Sequence, residues 1–115
     1  MHDFEKLQIS IQQFSLDRDW DQFHSPKNLS MALNVEAGEL LECFQWLTEK
    51  QSKNLTDGQR SEVSDELADV FIYLIRLAEK LNINLIEAAN NKIKKNNEKY
   101  PVKKSKGNST KYDKL

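Results

Sequence analysis

The chain has 115 residues, a length typical of one compact domain, and 30% of them are charged. With three glycines, two prolines and 38% hydrophobic residues, the composition disfavours sandwiches, barrels and doubly wound α/β folds. One cysteine excludes an intramolecular disulfide, and two histidines leave little for a histidine-rich metal site. No apolar run approaches the roughly 20 residues of a membrane span, and the polar start is not typical of a signal peptide. We therefore expect a cytoplasmic protein with no membrane partner.

The net charge of −1 is unevenly distributed along the chain. Residues 92–115 carry nine lysines against two acidic residues, whereas the first 91 residues carry eight basic and sixteen acidic residues. An acidic body with a basic end is unlike a nucleic-acid-binding domain, whose basic surface is spread over the fold. No nucleic-acid polymer is expected as a partner.

The spacing of apolar residues predicts four helices. The first covers about residues 3–17. Ser25-Pro26 is a helix-start signal for a second helix that runs to about residue 49. A capping-box pattern at Thr56 begins a third helix that runs to about residue 81, and a shorter helix covers residues 84–99.

We therefore expect an all-α, four-helix domain over residues 1–101 and a basic, disordered tail over residues 102–115. The two long helices, each about 25 residues, are expected to pack antiparallel. Phe71, Ile72 and Ile75 lie off the main apolar stripe of the third helix, so that helix needs cover on several faces. Self-association is the expected cover.

Two pairs of acidic residues stand out on the long helices: Glu36-x-x-Glu39 and Glu66-x-x-Asp69. Residues three apart share a helix face, with about 5–6 Å between their Cβ atoms. If the helices pack antiparallel through their apolar stripes, the four carboxylates converge. Like charges near a core need compensation, and an oxygen-only ligand set suits Mg²⁺, or Mn²⁺ in its place. Since Mg²⁺ often shares its coordination shell with phosphate oxygens, the pattern indicates a phosphate-bearing ligand.

Other interpretations stay open on the residues alone. Glutamate pairs at helical spacing are common on solvated faces, so a non-enzymatic helical interaction module with a basic tail is the alternative. A carboxylate-bridged di-metal bundle would need Glu-x-x-His motifs, which the sequence lacks.

Four segments of the chain carry a family resemblance. Residues 28–46 read NLSMALNVEAGELLECFQW and residues 65–74 read DELADVFIYL. They are accompanied by RDWDQFHSPKNL at 18–29 and KIKKNNEKYP at 92–101. Together these segments resemble the MazG-like nucleotide pyrophosphohydrolases of the all-α NTP pyrophosphatase superfamily, most closely the dCTP pyrophosphatase branch. The resemblance covers about residues 4–102.

The resemblance implies an oligomeric enzyme, a homodimer or a dimer of dimers, that needs Mg²⁺. It would convert a nucleoside triphosphate, dCTP or a related or modified deoxynucleotide, to the monophosphate and pyrophosphate. The acidic residues that match the family's metal ligands are Glu36, Glu39, Glu66 and Asp69. Either Glu36 or Glu39 would act as the general base.

The same resemblance assigns residues to substrate binding. Those at the positions of the base and sugar pocket are Trp20, Trp46 and Tyr73. Those at positions that contact the substrate, chiefly its phosphates, are His24, Lys92, Asn96 and Lys99. Ile11 stands where the dCTP branch has a histidine, which puts a preference for cytosine in doubt.

Overall fold

The computed structural model describes residues 2–115, which form helices joined by turns, with no strand among them. The α-helices are α1 Asp3–Asp17, α2 Pro26–Glu42, α3 Glu49–Ser52, α4 Asp57–Lys80, α5 Leu85–Lys99 and α6 Val102–Ser105. Short 3₁₀ turns cover Asp21–Phe23 and Tyr112–Lys114. The all-α prediction is confirmed. Within the described residues, no helix is both long and apolar enough to cross a bilayer.

Local side-chain caps explain where the main helices begin. The Ser25 hydroxyl accepts a hydrogen bond from the Asn28 backbone N–H at 3.1 Å, with Pro26 as the first helical residue. Thr56 caps α4 in a reciprocal capping box with Gln59. Each cap satisfies backbone N–H groups that have no partner within the helix. The predicted starts of α2 and α4 are therefore confirmed.

The second helix is shorter than predicted. It ends at Glu42 and is followed by turns, so the prediction of a helix continuing to residue 49 is wrong. The physical reason is a second capping box: Thr48 and Gln51 satisfy each other's backbone N–H groups and begin α3, where the polar sequence predicts a loop.

Helices α2 and α4 pack antiparallel. His24, just before α2, contacts Arg76 in the last part of α4, whereas Cys43, just after α2, lies beside Glu62 in the first part of α4. Leu29 of α2 and Ile75 of α4 form the centre of the core, each only 1% exposed. Helix α1 packs on α4. The packing of these three helices positions the candidate site.

The chain divides into two compact units, and the boundary follows Asn82. In the second unit, Ile83–Leu115, the rings of Tyr100 and Tyr112 pack edge to face, with centroids 6.0 Å apart. The boundary and the disordered tail expected after residue 101 stay predictions. Helix α6 and Tyr112 continue the described structure past that position.

Large apolar side chains remain on the surface of the chain. On α4, Leu67 is 54% exposed, and Phe71 and Ile72 are also exposed. Trp46 is 87% exposed. The incomplete cover predicted for Phe71 and Ile72 is therefore confirmed, whereas the prediction for Ile75 is wrong, because that side chain is 1% exposed and lies in the core. Self-association stays a prediction.

Candidate functional site

Three of the four predicted metal ligands converge at the α2–α4 interface. One carboxylate oxygen from each of Glu36, Glu39 and Glu66 lies within 4.8 Å of the others. Glu36 and Glu39 are one turn apart on α2, and antiparallel packing brings Glu66 of α4 against them. We call these three residues the acidic cluster.

Asp69 lies one turn beyond Glu66 on α4 and is not part of the acidic cluster. It lines a cavity together with Glu36, and its negative charge helps to raise the pKa values of Glu36 and Glu66. Asp69 is therefore close enough to act on the acidic cluster electrostatically.

The acidic cluster holds more negative charge than the surrounding protein compensates. Burial, followed by the adjacent Glu39 carboxyl group, raises the pKa of Glu36 to about 7. Burial and then the charge of Glu39 also raise the pKa of Glu66. One oxygen of Glu36 and one of Glu66 are buried with no hydrogen-bond partner among the described residues. Buried carboxylate oxygens without partners are costly, and a bound cation would satisfy them.

The donor set of the acidic cluster fits a hard divalent cation. Its ligand atoms are carboxylate oxygens, which suit Mg²⁺ or Mn²⁺. The neighbouring Cys43 does not add a soft ligand, because its thiol donates a hydrogen bond to the Glu39 carbonyl at 3.6 Å. Burial also raises the pKa of Cys43, which keeps the thiol protonated.

A cavity of about 420 Å³ opens beside Glu36 and Asp69. Its walls come from α1, α4 and the segment between α1 and α2, and are largely apolar. The predicted substrate-binding residues that line it are Trp20, His24 and Tyr73. Such a cavity, apolar with a few polar groups, is typical of small-molecule sites. The structure therefore places three of the seven predicted substrate contacts next to the predicted metal ligands.

Backbone and aromatic contacts hold Trp20 in the cavity wall. Its backbone N–H donates to the Ser15 carbonyl at 3.0 Å, and its ring packs edge-on against Phe14, with centroids 5.6 Å apart. Asp19, the residue before it, has a φ of +53°, a left-handed conformation that aspartate tolerates better than most residues. Ile11, 7% exposed, also lines the cavity. The position that differs from the dCTP branch therefore lies in the same cavity.

A compensated charge network adjoins the cavity through His24 and Arg76. Arg76 donates from Nε to His24 Nδ1 at 3.2 Å, from Nη1 to Glu79 at 3.3 Å, and from Nη2 to Asp21. Lys80 also donates to Asp21, and its ammonium group is the largest cause of the lowered pKa of Asp21. Burial, followed by the charge of Arg76, lowers the pKa of His24.

Sequence reasoning assigned no role to Arg76, Asp21 or Glu79. Arg76 lies seven residues after Asp69. This spacing keeps both residues on the same side of α4, so the sequence pattern could have indicated that Arg76 lies near the site. Asp21 is 55 residues away in sequence and lies in a short 3₁₀ turn, so no local pattern pairs it with Arg76.

The other predicted contacts lie elsewhere in the chain. Trp46 is exposed in the turns after α2 and does not line the cavity. Lys92, Asn96 and Lys99 lie on α5, in the second unit, where Lys99 Nζ is 4.8 Å from the centroid of the Tyr112 ring. Their roles stay predictions.

The fold and site define a class: an all-α protein with a cluster of carboxylates that could hold a cation, beside a largely apolar cavity. The chain belongs to the MazG-like family, whose model matches residues 31–115. It is 42% identical to dCTP pyrophosphatase 1 of Mus musculus and 39% identical to that of Homo sapiens, each over 105 residues and 90% of this chain. It spans 62% of the length of these curated relatives.

A solved structure shares the fold across nearly its whole length. The crystal structure of a pyrophosphatase from Archaeoglobus fulgidus superposes with a TM-score of 0.83 and 39% sequence identity. The match covers 88% of this chain and 94% of that one.

Proposed function

We propose that the chain is a Mg²⁺-dependent nucleoside triphosphate pyrophosphohydrolase. It would convert a nucleoside or deoxynucleoside triphosphate and water to the monophosphate and pyrophosphate, with Mn²⁺ as a possible substitute for Mg²⁺. One observation carries the proposal: an acidic cluster with unpaired buried oxygens borders a largely apolar cavity large enough for a nucleoside. The names of the relatives support the same reaction.

Glu36, Glu39, Glu66 and Asp69 are the proposed metal ligands. A bound Mg²⁺ would offset the negative charge of the phosphates and orient them for attack by water. Either Glu36 or Glu39, both carboxylates of the acidic cluster, would take the proton of that water on a carboxylate oxygen.

The cavity residues are proposed to bind the nucleoside. The ring of Trp20 and the ring of Tyr73 offer apolar surfaces to the base and sugar, and His24 offers a hydrogen bond.

Trp46 and the α5 residues are proposed to complete the site. Lys92 and Lys99 would offset charge on the leaving pyrophosphate, and Asn96 would contact the substrate. We further propose that the chain works as a homodimer or a dimer of dimers.

The proposed substrate is dCTP or a related or modified deoxynucleotide. Two curated relatives bear the name dCTP pyrophosphatase 1. Ile11 in the cavity wall offers an apolar contact and no hydrogen bond. At this position the base is therefore recognised by its shape, and any polar recognition comes from other groups.

A nucleotide panel tests the proposal. Canonical and modified NTPs and dNTPs are assayed for pyrophosphate release with Mg²⁺, with Mn²⁺ and with a chelator. We expect release with either metal, loss in the chelator, and a loss of about 100-fold or more in Glu39→Ala, because a metal ligand is removed. Glu5→Ala, which removes an exposed glutamate of α1, is the matched control and should retain full activity.

Two results would overturn the enzymatic proposal: no nucleotide in the panel releases pyrophosphate, or Glu39→Ala releases it as fast as the parent protein. Either result would favour the non-enzymatic interaction module.

A further inference from the structure

Arg76 is a buried charged residue in the wall of the cavity. It is 4% exposed, and each nitrogen of its guanidinium group has a hydrogen-bond partner. Nε donates to His24, Nη1 to Glu79 and Nη2 to Asp21. Burying a charged guanidinium group is costly unless it is paired, and here three of its five N–H donors have a partner.

These bonds hold the guanidinium group of Arg76 against acceptors of the protein itself. The positive charges of Arg76 and Lys80 face the negative charges of Asp21 and Glu79. The network is electrically balanced, and three of the five guanidinium N–H donors are engaged within it. One way for Arg76 to act on a ligand is therefore through a residue that it holds.

That residue is His24. A hydrogen bond from Arg76 Nε needs a lone pair on His24 Nδ1, so the ring is neutral and carries its proton on Nε2. Burial and the nearby charge of Arg76 lower the pKa of His24, and Lys80 acts in the same direction, while Asp21 opposes them. Glu36 and Asp69 line the same cavity.

The second nitrogen of the ring is free to meet a ligand. His24 lines the cavity, and across residues 2–115 no group forms a hydrogen bond with its Nε2. The ring also packs edge-on against Trp20, with centroids 6.5 Å apart, which restricts its rotation. Both contacts favour one ring orientation.

We propose that Arg76 is a positioning residue that fixes His24 as its Nε2–H tautomer and so presents one neutral hydrogen-bond donor to an acceptor oxygen of the nucleotide. The inference rests on the proposed function and adds to it a residue that sets how the substrate is recognised. The opposite tautomer would present a lone pair to that oxygen and repel it.

A spectroscopic experiment tests the tautomer without any turnover. Long-range ¹H–¹⁵N NMR spectra of ¹⁵N-labelled protein at a pH of about 8, where histidine is neutral, report which ring nitrogen carries the proton. The chain has two histidines, so His2→Gln assigns the His24 signals. We expect the proton on Nε2 in the parent protein, and a mixture of tautomers in Arg76→Met.

Lys80→Met is the matched control for this experiment. It removes a positive charge from Asp21 but leaves the bond between Arg76 and His24, so the Nε2–H tautomer should persist. A proton on Nδ1 of His24 in the parent protein would overturn the proposal, and that measurement needs no variant. An unchanged tautomer in a folded Arg76→Met protein would overturn it as well.

Kinetics with dCTP and Mg²⁺ separate this inference from the proposed function. In Arg76→Met and in His24→Ala we expect KM to rise about three- to tenfold, the effect of losing one hydrogen bond, with a smaller change in kcat. The double variant should be no worse than either single variant, because both remove the same bond. If the parent hydrolyses dCTP but Arg76→Met keeps the parent KM, the inference is wrong while the proposed function stands. If the parent hydrolyses no nucleotide, the proposed function is wrong, and the NMR spectra still decide the tautomer.

Discussion

The acidic cluster and the Arg76 network share helix α4, yet carboxylates are stabilised as anions in only one of them. In the acidic cluster, burial and neighbouring carboxylates raise the pKa values of Glu36 and Glu66. In the network, Lys80 and Arg76 lower the pKa of Asp21. The same chemical group is destabilised as an anion in one region and stabilised in the other.

The difference lies in the partners that the chain itself supplies. Asp21 has two cationic side chains within hydrogen-bonding distance, whereas Glu36 and Glu66 each keep a buried oxygen without a partner among the described residues. A region whose charges are balanced internally needs no external ion. A region whose charges are unbalanced is suited to an external cation.

The largest effect should come from neutralising a carboxylate of the acidic cluster. Glu66→Gln keeps the size of the side chain but removes its charge, so we expect Mg²⁺-dependent pyrophosphate release to fall about 100-fold or more. Asp65→Asn removes a charge from the adjacent, exposed residue and should keep nearly full activity. Equal losses in the two variants would show that general surface charge, and not the acidic cluster, controls the reaction.

A smaller effect is expected on stability in the absence of metal. In a chelator, Glu36→Gln should unfold at a higher temperature than the parent, by a few degrees, because it removes a buried charge and relieves repulsion from Glu39 and Asp69. Added Mg²⁺ should raise the melting temperature of the parent more than that of the variant, since a ligand stabilises the state that binds it. Calorimetry with and without Mg²⁺ measures both. A variant that melts below the parent in chelator would contradict the view that the cluster is under electrostatic strain.

The smallest effect is expected at Asp21, and it depends on pH in a defined direction. Because the folded state lowers its pKa, ionised Asp21 stabilises the fold above its ordinary value of 3.8. That contribution is lost as the pH falls through the lowered pKa. Asp21→Asn should therefore be less stable than the parent near neutral pH, and the gap should narrow in acid. Urea unfolding across this range provides the measurement, and a gap that stays constant with pH would show that the charge of Asp21 is not responsible.

Features that depend on neighbours a few residues apart could be predicted from the sequence. Ser25 and Thr56 begin their helices because each side chain caps backbone groups three residues ahead. Glu36 and Glu39 share a helix face because helical geometry places residues three apart side by side. Their residue types and their spacing are enough to predict a metal site with oxygen ligands.

One local feature was not predicted: the cap at Thr48 is present in the sequence, but the apolar stripe favoured a second helix longer than the one that ends at Glu42. Other features needed the tertiary structure. The pairing of Asp21 with Arg76 had no local signal, because contacts between residues 55 apart form only when helices pack. Helix packing gave Asp21 two cationic partners and, within residues 2–115, gave none to the buried oxygens of Glu36 and Glu66. Only the tertiary structure could decide this, because the pKa of each carboxyl group depends on the charges that the fold brings near it.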